Sequence, residues 1–401
     1  MKIVLSGGWG YGNLGDDAIL LATLKNIYLV HPNAEICILS TNMHETYFNI
    51  KEQFPNVNVQ DSFHTMLFGN VHEVMYKPVH NRIFDDLIFK IHSKFGDIQK
   101  KRLSKYIFTH ADDILDYLDR MYVFKDKDIF QDCNMYIMSG GGYLNSWYSM
   151  GVAKYIEVLY ANKYNIPIIL VGQTVGPFKD QFSKNYVSKI IKLSSKTVFR
   201  DKESYADFSS EIGSFSMAKA MPDIALSDGH YFERKNQIVF IPFKSDILEN
   251  IDIISRNLGK LSKMEGMQII LTVSQLWNTP LMLVHRLYNL LKSRNLDVII
   301  QVPQSIAELQ KILGESKCVI SQNLHGLILA YRAGASIICL NKQRKFVSFM
   351  EQIEALNCIV LPNEILSDDC FIRLYEIARQ KKKDIKPFKR EIHQIFKDLL
   401  K

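Results

Sequence analysis

The feature that most constrains the fold of this chain is a series of short apolar runs that alternate with helical segments. The runs lie at 2–6, 35–40, 57–60, 135–142, 166–173, 197–201, 237–243, 267–274, 296–300, 318–321 and 336–340. Most are continuously apolar rather than alternating, as is typical of strands buried on both faces. Helical periodicity between successive strands favours parallel sheets. We therefore predict an α/β protein with two Rossmann-like domains.

One polar segment and one break in the alternation predict the domain organisation. Residues 225–237, "ALSDGHYFERKNQ", have no periodicity and are the predicted linker. The predicted domains are 1–232 and 233–401, and the second ends in a helical, lysine-rich tail. Residues 61–130 combine many aromatic side chains with helical periodicity, which predicts a helical insertion in the first domain.

Composition excludes several classes of protein. The 401 residues are 47% hydrophobic, and no stretch approaches the about 18 uninterrupted apolar residues that indicate a transmembrane helix. The six cysteines form no C-x-x-C pair and no cluster spaced for zinc, so we expect buried thiols in a reducing compartment and no metal. The net charge of +7 is accompanied by no nucleic-acid-binding motif. These observations predict a cytoplasmic protein that does not bind nucleic acid.

The predicted insertion carries most of its charge in one stretch. Residues 77–105 contain eight Lys or Arg against three Asp. Such a stretch suits contact with an anionic acceptor or with bilayer headgroups, and it equally suits a solvated basic helix face. Under the first interpretation, we expect a peripheral contact with the inner face of the membrane.

The turn after the first strand is rich in glycine. In "SGGWGYGNLGDDAILL", Gly10, Gly12 and Gly15 match the form of a dinucleotide-binding loop, but the second strand ends in "STN" without the acidic residue that would bind ribose. We therefore do not predict NAD. The glycines still allow backbone N–H groups to approach a ligand at a helix N-terminus, where Asn13 and Asp16 are candidate site residues. Asp16 could also be the N-cap of that helix.

Three further strands end in polar or flexible residues. "MSGGGYLNSW" places Gly141 and Gly142 after one strand, as a tight turn or as a ligand contact. "VGQTVGPF" places Gln173 after the next strand as a polar contact. "TVFRDKES" places Arg200 and Asp201 after a third strand, where Arg200 could bind a carboxylate or phosphate or could pair with Asp201.

His325 lies in "CVISQNLHGLILAYRAGASIICL", between an apolar strand and an apolar helix. A lone histidine is commonly structural, but this one falls where a parallel strand ends and a helix begins, the place where anions bind in α/β folds. There it could transfer a proton near neutral pH. After the next strand, Lys342, Arg344 and Lys345 form an anion clamp or a basic loop without a ligand.

These motifs, in this order, resemble the polysaccharide pyruvyl transferase family. The stretches that carry the resemblance are "GGWGYGNLGDDAIL", "SGGGYL", "GQTVGPF", "VFRDKESYADF" with "MPDIAL", and "SQNLHGLILAYRAGASIICLNKQRKFVSFM". They span residues 7 to about 350, which is most of the chain. Each motif alone is weak to moderate, whereas the ordered set is fairly specific.

The resemblance implies a glycosyltransferase-B-like fold with the donor in the cleft. It implies transfer of a pyruvyl group from phosphoenolpyruvate to two hydroxyls of a sugar, giving a cyclic ketal and releasing phosphate without a further cofactor. The acceptor would be a glycan or lipid-linked oligosaccharide, a precursor of a surface polysaccharide. Arg200 resembles the family's donor-binding arginine. His325 resembles the histidine of the S-x-R-L-H signature and would transfer a proton.

Two helix starts would flank that cleft, at 12–16 and at 324–326. Gly12 and Leu324 are therefore candidate binding residues, and Asp16 is a weaker candidate for the general base. The chain departs from the family at Asn323, which stands where the signature has arginine. Asparagine cannot replace a charged guanidinium fork.

Two explanations of Asn323 remain open. Another cation compensates, with Arg332, Lys342, Arg344 and Lys345 as candidates, or the donor differs. The alternative functions are a glycosyltransferase that uses a nucleotide sugar and a non-catalytic member of the family.

Overall fold

The computed structural model describes residues 1–68, 98, 101–120, 128–211, 218–229, 231–276, 278–360, 367 and 369–401. The chain divides into two compact units. Unit 1 comprises Met1–Tyr11, Thr23–Ile224 and Ile395–Lys401, and unit 2 comprises Gly12–Ala22 and Ala225–Gln394. The domain limits 1–232 and 233–401 stay a prediction, because compact packing and independent folding are different properties.

Unit 1 contains a parallel sheet whose described strands follow the order β3-β2-β1-β4-β5-β6-β7. The strands are β1 (Lys2–Ser6), β2 (Glu35–Ser40), β3 (Asn58–Asp61), β4 (Met135–Leu144), β5 (Ile168–Val175), β6 (Lys196–Phe199) and β7 (Ala218–Ala220). The described helices between residues 1 and 211 are α1 (Leu14–Val30), α2 (Met43–Ile50), α3 (Phe63–Phe68), α4 (101–109), α5 (Ala111–Arg120), α6 (Asp128–Gln131), α7 (Tyr148–Lys163), α8 (Gln181–Leu193) and α9 (Lys202–Glu211).

Unit 2 contains a second parallel sheet, in the order β10-β9-β8-β11-β12. Its strands are β8 (Lys235–Ile241), β9 (Gln268–Leu271), β10 (Val298–Ile300), β11 (Ser316–Ser321) and β12 (Ser336–Cys339). The later helices are α10 (Ile251–Glu265), α11 (Asn278–Ser293), α12 (Ile306–Gly314), α13 (Leu324–Arg332), α14 (Arg344–Gln352), α15 (Cys370–Gln380) and α16 (Lys386–Leu399). The predicted class, α/β with two Rossmann-like parallel sheets, is confirmed.

Both sheets are buried on both faces, as their continuous apolar runs predict. Ile3, Val4 and Leu5 of β1 and Val239 and Phe240 of β8 have no exposed surface. Each such side chain contributes about 1.5–3 kcal/mol through removal from water. The six cysteines are free thiols, and all but one of them are buried.

Short side chains fix where several helices begin. The carboxylate of Asp180 accepts from the N–H of Ser183, and the hydroxyl of Ser305 accepts from the N–H of Glu308. Each cap satisfies a backbone donor of a first turn and is worth about 1 kcal/mol. The capped helices return the chain to the next parallel strand.

The predicted helical insertion at 61–130 is only partly described. Residues 69–97, 99–100 and 121–127 lie outside the described residues, and α3 to α6 account for most of the rest. Of the basic stretch 77–105, only residues 98 and 101–105 are described. Lys101 in α4 forms an ion pair with Asp180 at 2.8 Å, so this lysine belongs to a structural contact.

The predicted linker at 225–237 is not an exposed tether along its length. Its first residues continue a 3-10 helix, Ile224–Ser227, in which Ala225 and Leu226 have no exposed surface. Its last residues start β8 at Lys235. Strand β7 was not predicted, because three residues are too few to show a pattern.

Candidate functional site

The strand–helix junction that contains His325 lies at the carboxyl end of β11 in unit 2. Asn323 is the N-cap of α13, and its Oδ1 accepts from the N–H of Gly326 at 3.1 Å. The N–H of Asn323 donates to the hydroxyl of Ser321, which donates back to the carbonyl of Asn323, both at 2.9 Å. Asparagine at this position therefore closes the turn that starts the helix. Leu324 follows as the first helical residue and is buried.

The glycine-rich segment after β1 joins unit 2 through backbone hydrogen bonds. The N–H of Leu14 donates to the carbonyl of Ser274 at 3.0 Å, and the N–H of Leu276 donates to the carbonyl of Gly12 at 2.9 Å. Asn13 and Gln275 form an antiparallel bridge. Gly12 has a φ of +68°, a conformation that glycine adopts without strain. The predicted turn is thus attached to the loop that follows β9.

The start of α1 corrects one interpretation of Asp16. The helix begins at Leu14, and the side chain of Asn13 accepts from the N–H of Gly15 at 3.3 Å. Asp16 is therefore in the first turn rather than at the N-cap, because the helix starts earlier than predicted. Its Oδ2 accepts from Nδ2 of Asn13 at 2.6 Å. The side chain of Asn13 thus accepts from the backbone at Gly15 and donates to the carboxylate of Asp16.

His325 packs directly against this first turn of α1. A Cβ added to Gly15 would lie 2.0 Å from Nδ1, 2.2 Å from Cγ and 2.4 Å from Cβ of His325. The absence of a side chain at Gly15 therefore provides the space for the imidazole. His325 is 8% exposed, so its ring is sheltered by unit 2. Gly15 lies between Asn13 and Asp16 in the chain, so the first turn of α1 contacts His325 through Gly15.

The basic loop after β12 is tied to the same junction. Nδ2 of Asn341 donates to the carbonyl of Gln322 at 3.3 Å, and the N–H of Leu340 donates to the carbonyl of Ser321 at 2.9 Å. Lys342 in this loop and Lys345 in the first turn of α14 are exposed. They are placed on the edge of the sheet that carries His325.

Arg332 is not placed to compensate for the missing arginine of the signature. It is the last residue of α13, at the opposite end from Asn323. Its Nη1 donates to the carbonyl of Ala225 at 2.7 Å, and the side chain is buried. Arg332 thus anchors the segment that leads into β8, and Lys342, Arg344 and Lys345 remain the candidate cations.

The predicted residues of unit 1 lie at the carboxyl ends of β4 and β5. Gly141 has a φ of +141°, and a Cβ there would lie 2.2 Å from the ring of Tyr143. Nε2 of Gln173 donates to the carbonyl of Met138 at 2.9 Å. Within the described part of the chain, Oε1 of Gln173 and Oγ1 of Thr174 have no hydrogen-bond partner. Gly141 therefore lies within β4, at the register shift between Gly141 and Leu144, rather than in a turn after the strand. Gln173 lies within β5 and keeps one acceptor without a partner among the described residues.

Arg200 pairs with a residue that the sequence did not indicate. Its Nη1 donates to Oδ2 of Asp223 at 3.3 Å, and both side chains are buried. The predicted alternative, a pair with Asp201, is wrong, because Oδ1 of Asp201 accepts from the N–H of Ser204 at 2.6 Å at the start of α9. A carboxylate beside Arg200 fixes the guanidinium and offsets its charge.

Sequence reasoning missed the partners of the predicted residues. Ser274 and Gln275 were assigned to a strand and its end, yet they bind the first turn of α1. Asp223 lies in "MPDIAL", a stretch that predicts no partner for it. The sequence also predicts no role for Gln322. Its Oε1 accepts from the N–H groups of Phe243 and Lys244. Polar residues directly after apolar strands were the available signal.

The unit 2 site combines three chemical properties. An imidazole lies in the first turn of α13, where aligned peptide dipoles favour an anion. A carboxylate, Asp16, lies one residue from the glycine that contacts this imidazole. Two exposed lysines, Lys342 and Lys345, lie after β12 and in the first turn of α14. The arrangement is suited to binding an anion and moving a proton.

Two negative findings apply to the described residues alone. They include no helix with the length and apolar character needed to cross a membrane. They also include no group of three or more His, Cys, Asp or Glu side chains placed to hold a metal ion.

Comparison with known proteins identifies one family. The family model described as polysaccharide pyruvyl transferase matches residues 13–341 of the chain. This range includes every predicted site residue except Gly12, Lys342, Arg344 and Lys345. No curated protein sequence matches the chain.

Several solved structures share the fold. The chain is similar to UDP-GlcNAc 2-epimerase from Neisseria meningitidis bound to UDP-GlcNAc, with 13% identity, a TM-score of 0.58 and coverage of 100% of this chain and 99% of that chain. It is also similar to UDP-GlcNAc 2-epimerase from Methanocaldococcus jannaschii, with 12% identity, a TM-score of 0.62 and coverage of 100% of this chain and 99% of that chain. A third similar structure is the glycotransferase of kitacinnamycin, with 10% identity, a TM-score of 0.50 and coverage of 100% of this chain and 97% of that chain. At these identities the likeness concerns the fold, and the predicted glycosyltransferase-B-like class is confirmed.

Proposed function

The chain belongs to the polysaccharide pyruvyl transferase family, and on that premise we propose the reaction that it catalyses. It transfers a pyruvyl group from phosphoenolpyruvate to a sugar of a surface-polysaccharide precursor. The products are a cyclic pyruvate ketal and phosphate. The acceptor is a glycan or lipid-linked oligosaccharide on the cytoplasmic side, and contact with the membrane periphery follows if that acceptor is lipid-linked.

The observation that carries the proposal is the contact between His325 and Gly15. The imidazole sits in the first turn of α13, within 2.0 Å of the position that a Cβ of residue 15 would take. The ring therefore occupies space that glycine, and no larger residue, leaves at the start of a second helix. The same contact sets the ring against the first turn of α1, where Asn13 and Asp16 flank Gly15 in the chain, and a donor anion and a proton carrier can meet there.

The chemistry requires three proton transfers. An acid protonates the methylene carbon of phosphoenolpyruvate, which makes C2 electrophilic, while a base takes the proton of the first sugar hydroxyl. That oxygen bonds to C2. The C2–O bond to phosphate then breaks, and the second hydroxyl of the same sugar bonds to C2 and gives its proton to the leaving phosphate. His325 is the proposed proton carrier at the donor.

Asp16 is the second candidate for the base. Its carboxylate accepts a hydrogen bond from Nδ2 of Asn13 at 2.6 Å, and the residue is half-buried. A carboxylate held in this way can take a proton from a hydroxyl that approaches the first turn of α1. Gly12 and Asn13 shape that turn.

Anion binding is assigned to cations at the ends of strands. Lys342 and Lys345 are exposed beside the junction of His325, and their flexible ammonium groups can reach a carboxylate or phosphate. Arg200 in unit 1 keeps its proposed donor-binding role by resemblance, with Asp223 orienting its guanidinium.

Asn323 favours one alternative donor. Its Oδ1 is engaged in capping α13, so it offers the donor no charge. The similar epimerase structures include complexes with UDP-GlcNAc, and a nucleotide sugar would not need the arginine of the signature. A glycosyltransferase reaction is therefore the second candidate. A non-catalytic role would leave cellular function intact in His325→Ala.

Calorimetry with phosphoenolpyruvate tests the proposal. Saturable binding by the wild-type protein, weakened by about tenfold or more in His325→Ala, is the expected result. His285→Ala is the matched control, because His285 is an exposed histidine on α11 of the same unit. Its affinity should match that of the wild type. UDP-GlcNAc added as competitor should have no effect.

Two results would change the proposal. Competition by UDP-GlcNAc would favour the nucleotide-sugar reaction. Absence of phosphoenolpyruvate binding in the wild type, with binding gained in Asn323→Arg, would mean that the chain has kept the family's fold and lost its donor.

A further inference from the structure

Unit 1 presents an exposed tryptophan at the carboxyl end of its sheet. Trp147 follows β4 and is the residue directly before α7, and it is 43% exposed. Trp9, by contrast, is 1% exposed and packs in the core. Ligands of open α/β sheets bind beyond the carboxyl ends of the strands. The position of Trp147 is therefore that of a ligand contact.

A buried polar chain holds the indole in place. The rings of Trp147 and Tyr11 are 5.5 Å apart and tilted by 50°. The hydroxyl of Tyr11 is 3.2 Å from Nδ1 of His64, and Nε2 of His64 is 3.2 Å from the hydroxyl of Ser149. Tyr11 and His64 are buried. One side of the exposed indole thus rests on a rigid support, which reduces the entropy lost when a ligand binds the other side.

The residues before Trp147 form a ledge with a fixed shape. Nδ2 of Asn145 donates to the carbonyl of Gly142 at 2.6 Å, and Oδ1 of Asn145 accepts from the N–H of Trp147 at 2.7 Å. Asn145 therefore holds the backbone of Trp147 relative to that of Gly142. Gly142 is exposed, and a Cβ added there would meet no atom within 4 Å. Open space therefore lies beside Gly142, five residues before the exposed tryptophan.

We propose that Trp147, Asn145 and Gly142 form a subsite for a pyranose ring of the acceptor. A pyranose has a face of C–H groups, which stack on an indole, and a rim of hydroxyls, which bond to amides and backbone groups. An amphipathic aromatic with an open polar ledge matches both properties. The inference rests on the proposed function only in assigning this sugar to the acceptor.

A binding experiment without donor tests the subsite. The probes are methyl pyranosides of glucose, galactose, mannose, N-acetylglucosamine and N-acetylgalactosamine. Their binding is measured by saturation-transfer NMR and by tryptophan fluorescence. At least one should bind the wild-type protein saturably. Trp147→Ala should weaken it by about tenfold or more, and Gly142→Leu should do so by filling the ledge. Tyr231→Ala removes an aromatic that is 73% exposed in unit 2 and should leave the affinity within about twofold.

Thermal melting of each variant checks that it folds, and Gly142→Leu keeps the subsite testable if Trp147→Ala unfolds. Failure of every pyranoside to bind the wild type, or binding that both variants keep, overturns the subsite. Calorimetry with phosphoenolpyruvate on the same proteins separates the two proposals. Donor binding without a glycoside that depends on Trp147 leaves the donor proposal standing alone. A glycoside that depends on Trp147, without donor binding, leaves the subsite standing alone.

Discussion

At the scale of single residues, the contact between Gly15 and His325 restricts which side chains fit at either position. The ring needs the space that glycine leaves, and the clash that a Cβ would cause includes Cβ of His325 at 2.4 Å. Rotation of the imidazole therefore cannot relieve it. Contact of this kind restricts the position of the imidazole, because closely packed groups have few alternative arrangements.

Gly15→Ala tests this pair by its effect on stability. Alanine is normally the better helix former, so an effect on helix propensity alone would stabilise the protein. We expect a loss of about 1–3 kcal/mol in the free energy of unfolding instead, because the site becomes overpacked. Urea denaturation measures it. In the background His325→Gly, which removes the clashing Cβ, the loss should disappear; a loss of equal size in that background would contradict the account.

Thiol reactivity gives a second prediction at this scale. Burial raises the pKa of Cys339 to about 12 and also raises the pKa of Cys318. At pH 8 these groups are thiols rather than reactive thiolates. Cys133 is only partly buried, so iodoacetamide should label it first in the native protein, as peptide mass spectrometry would show. First labelling at Cys318 or Cys339 would mean that unit 2 opens locally.

The sequence predicted some residues of the site and could not predict their partners. His325 stood out because a strand and a helix meet there. Its contact, Gly15, lies far away in the chain and was interpreted as part of a nucleotide-binding pattern. Asp223 gave no signal, because its pairing with Arg200 depends on how β6 and the segment before β8 pack. Such contacts are properties of the folded chain, and no local pattern encodes them.

At the scale of elements, the start of α13 explains the asparagine at position 323. Asn323→Ala should lower the free energy of unfolding by about 1 kcal/mol, because the N–H of Gly326 loses its acceptor. Asn323→Asp keeps an acceptor at the same position and should cost less than half as much. Urea denaturation compares the two. Equal losses would show that the side chain contributes through something other than capping.

Helix α7 carries a buried ion pair in the core of unit 1. Nζ of Lys154 lies 3.2 Å from Oε1 of Glu157 and also donates to the hydroxyl of Ser6, and neither charged side chain is exposed. The hydroxyl of Tyr136 donates to Glu157 at 2.7 Å. Burial lowers the pKa of Lys154. The pair is maintained because each charge compensates the other away from water.

Lys154→Met should therefore be strongly destabilising. It leaves Glu157 charged and buried without its cation, which typically costs about 3–5 kcal/mol. The double variant Lys154→Met/Glu157→Gln removes the uncompensated charge and keeps an acceptor for Tyr136, so its loss should be smaller. Urea denaturation of the two proteins decides. A double variant less stable than the single one would show that the carboxylate itself holds the core together.

Element types were more predictable than element ends. The apolar runs predicted the principal strands of both sheets, because burial on both faces demands them. The strand predicted at 267–274 ends at Leu271 instead. The carbonyl of Ser274 accepts from Leu14 rather than from a neighbouring strand. A hydrogen bond to a distant segment replaced the sheet ladder there, and periodicity could not reveal it.

At the scale of the whole molecule, the fold is shared by enzymes of different chemistry. Epimerases for UDP-GlcNAc have the same architecture at 12–13% identity, so the fold leaves the donor undetermined. Membership of the pyruvyl transferase family narrows the chemistry. The donor itself must be established at the residues, and the junction of β11 with α13 is where this chain differs from the family signature.

The central claim is that phosphoenolpyruvate binds beside His325. Long-range ¹H–¹⁵N spectra of the eleven histidine rings test it directly, with His325 identified by its absence in His325→Ala. We predict that phosphoenolpyruvate shifts the ring signals of His325 saturably and leaves those of the exposed His285 unchanged. Ring signals of His325 that stay fixed while phosphoenolpyruvate binds, or that move only with UDP-GlcNAc, would contradict the account.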